Sequence, residues 1–107
     1  MQIRDISSQE LEMITNYGIV LLQFYKPSCE QSELLKKEVE KISNEGLYFH
    51  AVRFNIEQSP SLASLYNIKT TPTLLMVKGE EILGRKESFM TAEEIHEWAH
   101  FSTIMGW

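Results

Sequence analysis

The chain has 107 residues, enough for one domain spanning 1–107 with a single core. Hydrophobic residues make up 43% and charged residues 23%, which excludes a polar disordered chain. A formal net charge of −5 argues against a nucleic-acid partner, and the longest aliphatic run, Ile19-Val20-Leu21-Leu22, is too short to cross a membrane.

Met1-Gln2-Ile3-Arg4-Asp5 is polar and acidic where a signal peptide is apolar, and Cys29 has no second cysteine with which to form an intramolecular disulfide. Both features predict a cytoplasmic protein. Gln2 to Ile6 reads as a short first strand. Ser7-Ser8-Gln9-Glu10 has the S-x-x-E form of a capping box, followed by Leu11, Met13 and Ile14 at helical spacing and a stop at Asn16-Tyr17-Gly18. Ile19 to Tyr25 (IVLLQFY) is apolar on both faces apart from Gln23, as suits a strand covered on both sides. Pro27 ends it. Ser28-Cys29-Glu30-Gln31 then offers a second capping box, S-x-x-Q, before a helix with Leu34, Leu35, Val39 and Ile42 on one face and a stop near Asn44-Glu45-Gly46.

Leu47 to Ile56 is rich in strand formers. Ser59-Pro60 is a cap followed by a first-turn proline, and Leu62, Leu65 and Tyr66 supply the apolar stripe of a short helix. Thr73 to Val77 reads as a strand that turns at Lys78-Gly79-Glu80-Glu81 into Ile82-Leu83. Thr91-Ala92-Glu93-Glu94 caps a last helix with Ile95, Trp98 and Ala99 turned inward. The order βαβαβαββα predicts an α/β domain whose sheet mixes parallel strands with one terminal hairpin.

Val20-Leu21-Leu22-Gln23-Phe24-Tyr25, Cys29 opening a helix, Phe54-Asn55-Ile56-Glu57-Gln58, Tyr66-Asn67-Ile68 and Thr71-Pro72-Thr73-Leu74 resemble the thioredoxin family in sequence and spacing. The resemblance runs from about Ile3 to about Phe101. It implies a thioredoxin fold, with a central mixed sheet flanked by helices on both faces. It also implies a cis peptide at Thr71-Pro72 facing Cys29, beside a groove that binds an extended peptide by strand addition. The groove residues would be Ser28, Gln31, Thr71 and Pro72.

Three positions depart from the family. Thioredoxins carry Trp-Cys-Gly-Pro-Cys, whereas this chain has Ser28-Cys29-Glu30-Gln31-Ser32, so Ser32 stands at the resolving cysteine. Gln23 stands at the family's buried acid, and Lys37 at its helix-kinking proline. A cysteine at a helix N-terminus is favoured as thiolate by unpaired backbone N–H groups, with Ser28 or Ser32 as further donors. Glu30 and Glu33 oppose the charge and Lys26 partly offsets them, so the residues leave the sign of the pKa shift open.

Ser32 lies one turn from Cys29 but cannot break a mixed disulfide. The expectation is a thiol–disulfide exchange protein with Cys29 and Ser32 as catalytic residues. Its partners would be protein or peptide thiols and disulfides, with an external thiol such as glutathione completing the exchange. The alternative is a redox-inactive binding module using the groove beside Pro72. A cluster-holding role like that of monothiol glutaredoxins ranks last, because the paired glycines that follow their cis proline are missing; no cofactor is expected. His96-Glu97-Trp98-Ala99-His100 matches the zinc-protease pattern H-E-x-x-H, but Phe101 to Trp107 supply no third ligand. Two partly exposed histidines beside a core Trp98 are expected instead, with no metal.

Overall fold

A computed structural model describes residues 1–42 and 49–105. Its elements follow the expected order. Strand β1 (Ile3–Asp5) leads to helix α1 (Ser8–Glu12), a 3-10 turn (Ile14–Asn16) and strand β2 (Ile19–Tyr25). Helix α2 (Glu30–Glu40), strand β3 (His50–Asn55), a 3-10 turn (Ile56–Gln58) and helix α3 (Pro60–Leu65) follow. Strands β4 (Thr73–Lys78) and β5 (Glu81–Lys86) form the hairpin, and helix α4 (Ala92–Met105) comes last. The five strands lie in the order β1-β3-β2-β4-β5. β1 and β2 run parallel to β3, whereas β4 is antiparallel to β2 and β5.

Because successive strand residues point to opposite faces, β2 divides its side chains between two cores. Val20, Leu22 and Phe24 join Leu11, Ile14, Val52, Phe54 and Leu75 on the face covered by α1 and α3. Leu21 joins Leu35, Val39, Leu74, Met76, Ile95 and Ala99 on the face covered by α2 and α4. These β2 residues are fully buried, each side chain contributing about 1.5–3 kcal/mol. Gln23 shares the α2/α4 face with Leu21, and the register pairs it with Arg53 of β3.

The capping boxes at Ser7/Glu10 and Thr91/Glu94 form reciprocally, and Ser59 accepts from the Leu62 N–H ahead of Pro60. The box expected at Ser28/Gln31 does not: Cys29 is the N-cap of α2 and its side chain makes no capping bond. Lys26 carbonyl accepts from the Cys29 N–H at 3.0 Å, so the turn after Pro27 closes one residue later than S-x-x-Q implies. Leu34 and Leu65, expected on buried faces, are 44% and 76% exposed. Leu35, expected on the same face, is fully buried, and in α3 the buried residue is Ala63. The helix stop at Asn44-Glu45-Gly46 and the strand start at Leu47 lie outside the described residues; the described strand begins at His50, which is exposed. Among the described residues no helix is long and apolar enough to cross a membrane.

Candidate active site around Cys29

The parallel strands β2 and β3 end on one side of the sheet, and β4, running the other way, begins there. Their connections therefore meet at that edge: Lys26-Pro27-Ser28 enters α2, and Thr70-Thr71-Pro72 enters β4. The Thr71–Pro72 peptide bond is cis. The Cys29 thiol donates to the Thr71 carbonyl at 3.5 Å, and Thr73 Oγ1 fastens the loop by donating to the Thr70 carbonyl at 2.8 Å. Cys29, Ser32, Thr71 and Pro72 thus come together as expected. Ser28 and Gln31 flank them on the exposed rim.

Cys29 is half-buried, and burial pushes its thiol up. That effect is outweighed by the Ser32 and Thr71 side chains and by the nearby Ser32 and Gln31 backbone N–H groups, all of which favour the charged sulfur. The net result holds Cys29 below the ordinary thiol range, the direction that the residues alone leave open. Ser32 Oγ is buried and has no hydrogen-bond partner while Cys29 is a thiol donating to Thr71, so it is free to donate once the sulfur carries charge. Glu33, expected to oppose the thiolate, is engaged elsewhere: its carboxylate accepts from Arg53 Nη2 at 2.8 Å.

That contact opens onto a buried polar layer beneath the first turn of α2. Arg53 is 3% exposed, and its guanidinium lies 3.6 Å from the centroid of the Tyr25 ring. Tyr25 donates its hydroxyl to Asp5; burial and that bond push its pKa up to about 12. The Arg53 bond in turn holds the Glu33 carboxyl below the usual carboxylate range. Gln23 is fully buried, donates from Nε2 to the Ser32 carbonyl at 2.8 Å, and leaves Oε1 unpaired at a cost of about 1–3 kcal/mol.

The sequence reading missed Arg53. Its signal was an arginine at the position of β3 that alternates with Val52 and Phe54, on the face that Gln23 already marks as polar.

The His96–His100 pair lies on α4. Both histidines are exposed, and their rings are near parallel, 9° apart with centroids at 6.5 Å. Trp98 is partly buried against the core. Among the described residues no group of three His, Cys, Asp or Glu side chains is arranged to hold a metal.

Known proteins share both the fold and the sequence. The chain superimposes on a chloroplastic thioredoxin z with a TM-score of 0.79 at 21% identity, covering 96% of each chain. A mutant thioredoxin from Halobacterium salinarum gives 0.81 at 19%, covering 95% of this chain and 91% of that one. Identities this low show the fold alone. Sequence similarity goes further: the chain is 32% identical over 80 residues to a thioredoxin of Buchnera aphidicola, covering 72% of either protein. It is also 26% identical over 98 residues to that of Bacillus subtilis, covering 91% of this chain and 94% of the relative. The Thioredoxin family model matches residues 5–100, from β1 through most of α4 and across the whole Cys29–Pro72 edge, so the chain belongs to the thioredoxin family.

Proposed function

We propose that the protein carries out thiol–disulfide exchange through Cys29 alone, with an external thiol completing each turnover. The Cys29 thiolate attacks one sulfur of a protein or peptide disulfide, forming a mixed disulfide and expelling the other sulfur as a thiolate. A second thiolate, from glutathione or from the substrate itself, then attacks the mixed disulfide and returns Cys29 as thiolate. Ser32 donates to the Cys29 sulfur while it is charged but supplies no second sulfur. Gln23 has no proton to exchange with one. The Thr71 and Pro72 edge, with Ser28 and Gln31 on the rim, holds the substrate backbone by strand addition.

The observation that carries this reading is the placement of Cys29 Sγ at the start of α2, 3.5 Å from the Thr71 carbonyl beside the cis bond, where the Ser32 and Thr71 side chains favour its charged form. A buried cysteine acting as a small apolar side chain would lack them. A chain with one cysteine, dependent on outside thiols, fits a reducing compartment such as the cytoplasm. Alkylation of Cys29 at pH 7, folded and in urea, tests the proposal. The folded protein reacts faster if Cys29 is a working nucleophile. Equal or slower reaction in the folded state favours a redox-inactive peptide-binding module at the same edge.

A further inference from the structure

Two side chains reach up from the sheet to the first turn of α2, by independent routes. Gln23 of β2 donates to the backbone carbonyl of Ser32 at 2.8 Å. Arg53 of β3, its register partner, donates to the Glu33 carboxylate at 2.8 Å. Arg53 is itself fixed by stacking on Tyr25, which is bound to Asp5 of β1. Three adjacent strands are thereby wired to two consecutive residues of one helical turn. The Ser28/Gln31 capping box that was expected to fix this turn is not formed.

We infer that Gln23 and Arg53 are positioning residues for Cys29: they tether the first turn of α2, and with it the orientation of the Gln31 and Ser32 N–H groups and the Ser32 hydroxyl relative to the Cys29 N-cap. The inference rests on the reading of Cys29 as the reactive thiol. Its physical basis is that the leading groups favouring the thiolate are hydrogen bonds, whose strength falls steeply with misalignment. Charges surround the site in both signs: Lys26 before α2, Glu30 and Glu33 on α2, Arg53 on β3 and Lys69 before the cis bond. They make a test with opposing signs possible.

The pH dependence of Cys29 alkylation, measured on the full chain, gives the readout. Gln23→Met keeps the volume and changes no charge, but removes the bond to Ser32. Alkylation at pH 7 should slow about three-fold, equivalent to a titration midpoint about half a unit higher. Glu33→Met removes both the acceptor of the Arg53 bond and a negative charge four residues from Cys29. Coulomb interaction alone would lower the midpoint; loss of the tether raises it, again with about a three-fold slower reaction at pH 7.

An unmoved midpoint in Gln23→Met overturns the inference, even where the variant melts at a lower temperature. So does a lowered midpoint in Glu33→Met. Glu33 is half-exposed, so that variant decides the matter alone if Gln23→Met does not fold. The wild-type protein separates the two claims. A Cys29 no more reactive folded than in urea ends the thiol-exchange reading and the tether with it, whereas a reactive wild type with unmoved variants ends only the tether.

Discussion

The first turn of α2 and the middle of α4 each present a pair of residues at helical spacing, Cys29 with Ser32 and His96 with His100. Their surroundings differ in every respect that bears on chemistry. The α2 pair faces a loop from across the sheet, with the Thr71 carbonyl 3.5 Å from the sulfur, and is held from below by Gln23 and Arg53. The α4 pair faces outward, and its rings are parallel to each other with no third ligand beside them among the described residues. Spacing along one helix places two side chains on one face, whereas reactivity depends on what another element brings to that face. The H-E-x-x-H pattern is complete in the sequence, yet it sits at the site with no facing element among the described residues.

The largest effect should come from completing the α2 pair. Ser32→Cys puts a second sulfur one turn from Cys29, and the two close into a disulfide if their Cα atoms lie near ~5.5 Å. The variant should form that disulfide under mild oxidant and gain reduction of insulin, which the wild-type protein should not show without added glutathione. Adding Gln23→Asp should raise the rate further by supplying a proton-exchanging group beneath the site. Two free thiols after oxidant, read by intact mass and thiol titration, would contradict the geometry assigned to this turn.

The inner side of α4 offers the next largest change and shows what that helix does. A Cβ at Gly84 of β5 would lie 2.4 Å from Ser102 Oγ and 3.1 Å from Trp98 Nε1, atoms of the helix packed above it. Ser102 is buried, and its Cβ would itself lie 3.1 Å away, so turning the hydroxyl does not clear the space. Gly84→Ala should therefore destabilise the fold by about 1–3 kcal/mol in urea unfolding. Alkylation of Cys29 in the folded fraction should stay at the wild-type rate. A changed rate would mean that α4 reaches the site after all.

Acid should weaken the α2 side selectively, and by less. Glu33 is held below the usual carboxylate range by Arg53, so the unfolded chain takes up its proton at a higher pH than the folded one. The stabilisation from this pair is complete above the ordinary carboxylate pKa and is lost as pH falls through the lower folded value. Because Glu33 is 53% exposed, the loss is about 1 kcal/mol or less. In Glu33→Gln, the stability difference between pH 7 and pH 3 should shrink by that amount. An identical difference in both proteins would mean that the pair does not hold in solution.

The contrast between the two helices also explains what could be read from the sequence. The order of elements along the chain, the caps at Ser7, Ser59 and Thr91, and the meeting of Cys29 with Thr71-Pro72 follow from local patterns and from the family likeness. Each of those caps is a contact within three residues, which a linear pattern can hold. The cap at Ser28 fails because the turn after Pro27 makes Cys29 the N-cap, a backbone outcome that the S-x-x-Q pattern does not encode. Glu33 looks like a repulsive neighbour of Cys29 until Arg53, 20 residues away, is seen to take its charge. The sign of the Cys29 shift likewise depends on orientations of Ser32 and Thr71 that no spacing specifies.

The smallest expected effect is at His96. His96→Ala removes an exposed side chain from the outer face of α4, where its ring lies parallel to His100 without a buried partner. Exposed substitutions away from caps, cores and buried networks change stability by about 0.5 kcal/mol or less. Alanine also has the higher helix propensity, which offsets part of any lost contact. Melting temperature and Cys29 alkylation should therefore match the wild-type protein, and metal analysis of both preparations should find no stoichiometric zinc. A zinc site needs three or four ligands converging at about 2.0–2.3 Å, and two histidines on one solvent-facing surface supply half of that. One zinc per chain in the wild-type protein, lost in His96→Ala, would show that a ligand from another molecule completes the pair. It would also restore to α4 the facing element that distinguishes α2.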